Sequence, residues 1–240
     1  MDKLRLDKLL FTRGLAGSRE KAQALIIAGE VKVNGNVVTK PGAVVTPEVA
    51  VEIIHPHRFV SRGGLKLEFA LNQFSLDVSG LTCADFGSNV GGFVGVLLEH
   101  GAKRVYSVET GYGVLDWKLR NDPRVIVMER MNAMHVTLPE KVDFISIDVS
   151  WTPQLKVLPN AINNLKEGGN VVSLVKPHYE ATSRGLKLMH GKLNDDQVEE
   201  VAQRVATEIE ATGLKVVKLV KSPITGGKAG NIEYLFWLKL

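Results

Sequence analysis

Four charged residues lie beside apolar stretches of the sequence, where a charge is costly to bury. Asp148 and Lys176 each end an apolar run. Lys66 follows an Arg-Gly-Gly turn, and Glu233 interrupts a stretch that is otherwise apolar. Such charges are expensive to desolvate unless they are paired, reach solvent or take part in chemistry. Amines and carboxylates can transfer protons, so we treat these four as candidate catalytic residues, with solvated strand-end charges as the alternative.

A glycine-rich segment, 85–93, follows a predicted strand and is placed to bind a cofactor. Glycines let the backbone approach a ligand, and the helix that follows offers free N–H groups. Asn89 stands where a G-x-G-x-x-G motif has its second glycine, which counts against a nicotinamide dinucleotide. The spacing Asp-x-Gly-x-x-x-Gly-Gly instead resembles that of methyltransferases, whose ligand, S-adenosylmethionine, has an amino-acid tail and no phosphate. The predicted cofactor contacts here are Asp85, Gly87, Gly91, Gly92 and Phe93.

Polar residues also follow the next predicted strands. Glu109 ends one strand, and its carboxylate can accept hydrogen bonds from both hydroxyls of a ribose. Asn132 follows another strand, and its amide can read the edge of an adenine. Each could instead cap a helix, but open α/β sheets bind ligands at the carboxyl ends of their strands. We therefore add Glu109, Asn132 and Asp148 to the predicted cofactor site.

From residue 59 onward the apolar pattern alternates between strand and helix periods. The predicted strands cover 81–86, 104–109, 125–128, 142–148, 170–175, 215–220 and 232–238. The predicted helices cover 65–74, a segment ending at 100, 114–120, 155–165 and 195–212. This alternation is typical of a mostly parallel sheet with helices on both faces.

The first 54 residues show a different pattern, with two short helices followed by a β-ribbon. Helical spacing covers 4–10, and Ser18 is a predicted N-cap for a second helix over 19–28. Asn34-Gly35 is a hairpin signal between short strands, with further β pattern up to residue 54. Residues 55–60 have linker character. We thus predict a small α+β domain over 1–54 and a larger α/β domain over 61–240.

Positive charge is concentrated in the first quarter of the chain. The net charge is +4 and the pI about 9.1. Nine basic and six acidic residues up to Arg58 account for three of those four charges. A local excess of this kind suits phosphate binding. The predicted RNA-binding residues are Arg5, Lys8, Arg13, Arg19, Lys21 and Arg62.

Composition narrows the remaining possibilities. The only cysteine, Cys83, is expected to be buried, and a chain without disulfides fits a reducing compartment. No apolar stretch approaches the roughly 20 residues of a membrane span, and we expect a soluble, cytoplasmic protein without a membrane partner. The six histidines lack metal-ligand spacing, so no metal is expected. Trp117, Trp151 and Trp237 are expected to pack, with Trp151 the best candidate to line the pocket.

Four motifs resemble the TlyA-type ribosomal RNA methyltransferases, often labelled haemolysin-like. They cover 58–67, 147–150, 174–177 and 222–226, and the likeness extends over nearly the whole chain. It implies a Rossmann-like class I methyltransferase domain with a seven-stranded sheet, similar to the FtsJ 2′-O-methyltransferases. An α-L RNA-binding domain precedes it, shared with a small-subunit ribosomal protein and pseudouridine synthases. The expected cofactor is S-adenosylmethionine and the expected partner ribosomal RNA or a ribosomal subunit; the oligomeric state stays open.

The resemblance also assigns a catalytic tetrad. Its members are Lys66, Asp148, Lys176 and Glu233. We expect Lys176 to be the general base for a ribose hydroxyl, because the neighbouring charge of Lys66 and partial desolvation favour its neutral amine. The two acids would orient the lysines and offset their repulsion.

Several positions depart from the family pattern. Threonine is usual where Val90 stands, and arginine is commoner at Met134. His178-Tyr179 replace a Gln-Phe pair, and the stretch 181–193 differs from the usual segment. None of these removes a tetrad member, so activity is expected, while the identity of the modified nucleotide stays open.

Three alternatives differ from this prediction in class. One is an RNA- or ribosome-binding protein that keeps the fold without turnover. A second is a membrane-lytic protein, as the family label suggests, although no segment has the required length or exposed apolar face. A third, a nicotinamide oxidoreductase, conflicts with the glycine spacing.

Overall fold

The chain divides into two compact units, Met1–Arg58 and Phe59–Leu240. The computed structural model describes residues 3–53, 59–186, 188, 191–226 and 230–240. Residues 54–58, which include most of the predicted linker, lie outside the described part of the chain.

The N-terminal unit combines two helices with short antiparallel strands. Its elements are β1 (Leu4–Arg5), α1 (Leu6–Thr12), α2 (Arg19–Ile27), β2 (Val31–Val33), β3 (Asn36–Val37), β4 (Val44–Val45) and β5 (Val51–Ile53). β1 pairs with β4, and β2 lies between β3 and β5. Leu6, Leu10, Ile26 and Val31 are fully buried and form the centre of its core.

Two local predictions in this unit are confirmed. Ser18 caps α2, since its hydroxyl accepts a hydrogen bond from the N–H of Lys21 at 3.2 Å. Asn34 and Gly35 have φ values of 49° and 81°, the positive pair that a tight hairpin turn requires. Both signals are local in sequence, which is why they can be recognised without a structure.

The C-terminal unit is built on a seven-stranded sheet. Its strands are β6 (Thr82–Phe86), β7 (Arg104–Glu109), β8 (Val125–Glu129), β9 (Val142–Ile147), β10 (Leu165–Val175), β11 (Lys215–Lys221) and β12 (Tyr234–Lys239). Their order across the sheet is β11-β12-β10-β9-β6-β7-β8. The strands from β10 to β8 pair in parallel, whereas β12 runs antiparallel to both of its neighbours. The prediction of a mostly parallel sheet is confirmed.

Helices cover both faces of this sheet. They are α3 (Gly63–Phe74), α4 (Gly92–Glu99), α5 (Trp117–Arg120), α6 (Gln154–Asn164), α7 (Pro177–Ser183) and α8 (Asp195–Glu210). α3 and α4 pack on one face in a core that includes Phe144 and the buried Cys83. α6 and α8 pack on the other face against Ile145. Neighbouring strand residues thus enter opposite cores, as the alternation of side chains along a strand requires.

Three element predictions are corrected. The helix predicted from Leu4 begins at Leu6, because Leu4–Arg5 is extended and pairs with β4. The helix predicted over 114–120 forms only at Trp117–Arg120. The helix α7 was not predicted, although Pro177 directly after a strand is a favourable first helical residue.

The strand ends beside the candidate site residues lie at one edge of the sheet. The parallel strands β6, β7, β9 and β10 end there, and the antiparallel strand β12 begins there. Residues from distant parts of the sequence therefore meet at this carboxyl edge.

Candidate active site

The loop after β6 approaches neighbouring backbone and side chains too closely for larger residues. Gly87 has φ +86°, and a Cβ there would lie 2.6 Å from the carbonyl oxygen of Asp148. Gly91 has φ +97°, and a Cβ there would lie 2.3 Å from a methyl carbon of Leu119. Both positions thus require glycine for conformation and for space.

A cavity of about 510 Å³ lies beside this loop, at the carboxyl edge of the sheet. Its volume falls in the range of small-molecule and cofactor sites, roughly 300–1,000 Å³. Five predicted site residues line it: Gly87, Glu109, Asn132, Asp148 and Lys176. The cavity therefore joins predicted cofactor contacts to one of the predicted lysines.

Glu109 holds the loops that border the cavity. Its carboxylate accepts hydrogen bonds from the N–H of Asn89 at 2.9 Å, the N–H of Gly111 at 2.8 Å and the hydroxyl of Thr110 at 3.0 Å. A carboxylate offers about four acceptor positions. At least one position is therefore left for a ribose hydroxyl, and the same side chain fixes the shape of the site.

Asn132 combines a turn-capping role with a place on the cavity wall. Its side-chain oxygen accepts a hydrogen bond from the N–H of Met134 at 2.9 Å. The oxygen is thus used within the turn, which leaves the NH₂ group as the donor suited to an adenine nitrogen.

Other predicted cofactor residues lie around the cavity without lining it. Gly91, Gly92 and Phe93 form the turn and the first residues of α4, and Phe93 packs in the core. Asp85 is buried in β6, where its Oδ1 accepts a hydrogen bond from Ser146 at 2.7 Å. Among the described residues, its Oδ2 has no hydrogen-bond partner. These four residues lie in β6 and around the start of α4, and their contact with the cofactor stays a prediction.

The surroundings of Asp85 oppose its ionisation. Its pKa is raised to about 8, chiefly by burial and also by the negative charges of Asp148 and Glu109, while the Ser146 hydrogen bond opposes the rise. Asp85 is therefore mostly protonated at neutral pH.

The four candidate catalytic residues form two ion pairs. Lys66, in the first turn of α3, pairs with Glu233, and both side chains are buried. Lys176 Nζ lies 2.6 Å from Asp148 Oδ1 and donates to the carbonyl oxygen of Val149 at 2.9 Å. Each lysine thus has its own carboxylate, which offsets the cost of burying the charge.

The strand register brings the two pairs side by side. Val175 of β10 lies opposite Tyr234 of β12, so the next residues outward, Lys176 and Glu233, face each other. On the other side of β10, the parallel partner β9 ends just before Asp148. All four residues therefore lie at one edge of the sheet, although their sequence positions span 167 residues.

The tight packing around Glu233 was not predicted from the sequence. A Cβ on Gly226 would lie 1.9 Å from Oε1 of Glu233, so the turn preceding β12 fits closely against this carboxylate. The Pro-Ile-Thr-Gly motif drew attention to Gly226, but its contact with a residue further along the chain depends on the folded turn.

The predicted RNA-binding residues of the N-terminal unit differ in their contacts. Asp7, which sequence analysis did not assign, is fully buried and accepts hydrogen bonds from Arg5 at 2.8 and 3.0 Å and from Arg19 at 3.2 Å. The Arg5 guanidinium holds the pKa of the Asp7 carboxyl well below its usual range. About half of each arginine side chain stays exposed, 52% for Arg5 and 47% for Arg19.

The other four predicted RNA contacts are also on the surface. Arg13 donates to the backbone carbonyls of Val49, at 2.9 Å, and Pro47. Lys8 and Lys21 are exposed on α1 and α2. Arg62 is exposed before α3 in the C-terminal unit.

The tryptophans only partly follow the prediction. Trp237 packs on Phe74 with ring centroids 5.9 Å apart. Trp117 is 74% exposed, so the packing prediction is wrong for this residue. Trp151 is 75% exposed but packs edge-on against Tyr179, with ring centroids 6.2 Å apart. Trp117 begins the short surface helix α5, and Trp151 lies in the loop after β9. Trp151 does line the cavity, as predicted.

No helix of the described residues is both long and apolar enough to cross a membrane. In the same part of the chain, no cluster of three or more histidine, cysteine, aspartate or glutamate side chains could hold a metal ion.

The cavity fits S-adenosylmethionine in its chemistry. The carboxylate of Glu109 suits a ribose and the amide of Asn132 suits an adenine, and both residues line a cavity of suitable volume. The close-packed glycine turn borders the same cavity. Fold and site together define a Rossmann-like methyltransferase.

Comparisons with known proteins identify the family. Residues 59–240 match the FtsJ-like methyltransferase model, and residues 4–51 match the S4 domain. The chain therefore belongs to the FtsJ-like methyltransferases, carries an S4 domain at its N-terminal end, and uses S-adenosylmethionine as its cofactor.

Individual relatives cover nearly the whole chain. YqxC of Bacillus subtilis is 43% identical over 98% of this chain and 85% of its own length. The 16S/23S rRNA (cytidine-2′-O)-methyltransferase TlyA of Mycobacterium tuberculosis is 38% identical over 98% of this chain and 89% of its own. A solved structure from Streptococcus thermophilus has 38% identity and a TM-score of 0.75, covering 100% of this chain and 89% of its own.

Proposed function

We propose that this protein transfers a methyl group from S-adenosylmethionine to a ribose 2′-hydroxyl of ribosomal RNA. The observation that carries the proposal is the position of Lys176, which lines the cofactor cavity while its Nζ contacts Asp148 and the Val149 carbonyl. An amine held beside the methyl donor is positioned to take a proton from an attacking hydroxyl. The name of the mycobacterial relative supports ribosomal RNA as the substrate class.

The transfer requires one proton to move as one bond forms. When bound, S-adenosylmethionine supplies an electrophilic methyl group on a positively charged sulfur. That methyl group would pass to the ribose oxygen in exchange for the hydroxyl proton, which Lys176 Nζ would accept. Asp148 and the Val149 carbonyl then stabilise the resulting ammonium group.

The buried Lys66–Glu233 pair has a supporting role in this mechanism. Through the register of β10 and β12, this pair lies beside Lys176 at the same edge of the sheet. Glu233 holds Lys66 in place by accepting its hydrogen bond.

The N-terminal domain delivers the RNA in this proposal. Arg5, Arg19, Lys8 and Lys21 are exposed, and phosphate contacts of this kind position a nucleic acid without reading its sequence. We assign residues 1–54 to RNA binding and 61–240 to methyl transfer, with ribosomal RNA or an assembled subunit as the partner.

The target nucleotide is proposed to be a cytidine. This finer assignment is supported by the activity in the name of the mycobacterial relative, which is a cytidine-2′-O-methyltransferase. The base does not take part in the chemistry at the ribose, so its identity depends on contacts outside the ion pairs.

The decisive experiment is methyl transfer from labelled S-adenosylmethionine to ribosomal RNA and to each purified subunit. The methylated ribose is then mapped by its resistance to alkaline cleavage and by mass spectrometry. We expect label in a cytidine ribose. Label on a base, or in RNA other than ribosomal RNA, would contradict the proposal.

Absence of transfer with intact RNA binding would favour the alternative of a silent binding protein. A protein that binds S-adenosylmethionine but methylates neither ribosomal subunit would support that alternative.

A further inference from the structure

A second cavity, of about 120 Å³, is lined by His178, two residues after Lys176, and by Ile232, which precedes Glu233. Leu193, Val198 and Ile232 supply apolar walls, and His178, Asp195 and Asn231 supply polar groups. The volume is well below the roughly 300 Å³ at which drug-sized ligand sites begin. It suits one small ring with polar substituents.

His178 is the least satisfied polar group of this cavity. Its side chain is buried, with 8% relative exposure, and among the described residues its Nδ1 has no hydrogen-bond partner. A buried polar atom without a partner is costly and calls for an explanation such as a missing ligand.

The charge state of His178 limits what this ligand can be. Burial lowers its pKa, and the nearby charge of Lys176 lowers it further. At neutral pH the ring is uncharged and offers one donor and one acceptor. Such a group is suited to the polar edge of a neutral ring more than to a phosphate.

The second cavity and the cofactor cavity lie on opposite sides of Lys176. The cofactor cavity borders the ends of β6, β7 and β9, whereas His178 follows β10 and Asn231 precedes β12. In the sheet order, β10 and β12 lie on the side of β9 that faces away from β6 and β7. In-line transfer places the acceptor across from the donor, so the second cavity lies on the acceptor side.

We propose that this cavity binds the base of the nucleotide whose ribose is methylated, and that it favours a single-ring base. This inference rests on the proposed function and adds the residues that read the substrate. The apolar walls contact the faces of the ring, while His178 and Asn231 bond to its edge. Lys192, also at this cavity, is placed for the adjoining phosphate.

The first test compares variants on ribosomal RNA transcripts that carry each of the four bases at the target position. His178→Ala and Asn231→Ala are expected to lower kcat/KM for the pyrimidine target by about 10- to 100-fold, since a polar site is left unpaired. The preference of the wild type for pyrimidine over purine should shrink by a similar factor. Affinity for S-adenosylmethionine should stay within about twofold, because neither residue lines the cofactor cavity.

His100→Ala is the matched control. His100 also has a buried ring nitrogen, Nε2, without a partner among the described residues, but it lies at the end of α4, before β7 begins and away from the carboxyl edge. We expect it to keep wild-type base preference. Unchanged base preference in both His178→Ala and Asn231→Ala would overturn the proposal. If His178→Ala fails to fold or to bind S-adenosylmethionine, unchanged base preference in Asn231→Ala alone would overturn it.

A second measurement does not depend on turnover. The full chain, saturated with S-adenosylhomocysteine to occupy the cofactor cavity, is titrated with cytidine 5′-monophosphate and separately with adenosine 5′-monophosphate. The imidazole resonances of His178, assigned through His178→Ala, should shift with the cytidine nucleotide and much less with the adenosine nucleotide. Equal or absent shifts would overturn the base site. A wild-type enzyme that binds the cytidine nucleotide but never methylates ribosomal RNA would instead contradict the proposed function.

Discussion

Two lysine–carboxylate pairs of the same chemical type occupy different surroundings in this protein. The side chains of Lys66 and Glu233 are 10% and 4% exposed, whereas those of Lys176 and Asp148 are 13% and 26% exposed and line the cofactor cavity. Only the second pair lines the cofactor cavity, so in the proposed mechanism Lys176 is the lysine that meets the substrate hydroxyl. Position relative to the cavity, and not residue type, distinguishes the two pairs.

The largest expected effect comes from removing the accessible amine. Lys176→Ala should lower the single-turnover rate of methyl transfer by about 1,000-fold, within the usual range for loss of a general base. Binding of S-adenosylmethionine, measured by calorimetry, should change little. Lys141→Ala, an exposed lysine just before β9 and at the other edge of the sheet, is the control and should be fully active. Near-normal transfer by Lys176→Ala would show that both pairs only position the substrate.

Breaking the enclosed pair should mainly cost stability. Glu233→Gln leaves the Lys66 charge buried without its partner, which should lower the free energy of unfolding by about 3 kcal/mol. Asp148→Asn, at the more accessible pair, should cost about 1 kcal/mol. Urea denaturation followed by circular dichroism measures both.

The double variant Lys66→Met/Glu233→Gln sharpens this comparison. It should recover much of the stability lost in Glu233→Gln, because no unpaired charge remains, while methyl transfer stays low. Equal stability losses in Glu233→Gln and Asp148→Asn would remove the distinction between the pairs.

A smaller effect is expected from crowding the enclosed carboxylate. In Gly226→Ala the added methyl group would overlap Glu233, so this side chain must move away from Lys66. We expect kcat to fall about tenfold with little change in cofactor affinity, because poor positioning costs less than loss of the base. Gly95→Ala provides the control, since its nearest contact would be 3.9 Å away. Full activity in Gly226→Ala would show that the position of Glu233 is unimportant.

The last effect concerns the pH dependence of stability. The raised pKa of Asp85, about 8, means that the folded chain keeps a proton that the unfolded chain loses near pH 4. Stability should therefore fall as pH rises from about 4 to 8, and the contribution is fully present only below that window. Asp148→Asn removes a neighbouring negative charge and should make the decline shallower, whereas Glu233→Gln should leave its slope unchanged. Urea midpoints from pH 5 to 8 test this, with Asp85→Asn as the reference that lacks the decline.

Much of the fold could be predicted because its signals are local. The strand 104–109 was predicted with the bounds that the structure shows, since an apolar run ends cleanly at Glu109. Charges at the ends of such runs likewise pointed to Asp148 and Lys176. Strand ends are visible in sequence because burial changes within one or two residues.

What escaped prediction depends on contacts between distant residues. The pairing of Leu4–Arg5 with Val44–Val45 replaced the start of a helix, and no local pattern signals it. The division of the tetrad into Lys66–Glu233 and Lys176–Asp148 follows from strand order. Asp85 was predicted from its motif spacing, but its burial and its hydrogen bond from Ser146 depend on the neighbouring strand β9.

The antiparallel direction of β12 has a consequence for how the enzyme is built. The cavity for the methyl donor is lined by residues between Gly87 and Lys176, so its walls are complete in sequence well before the last strand. Glu233 enters only when the chain turns back and inserts β12 beside β10. During synthesis, the residues that line the donor cavity are therefore complete before the strand that follows Glu233 emerges.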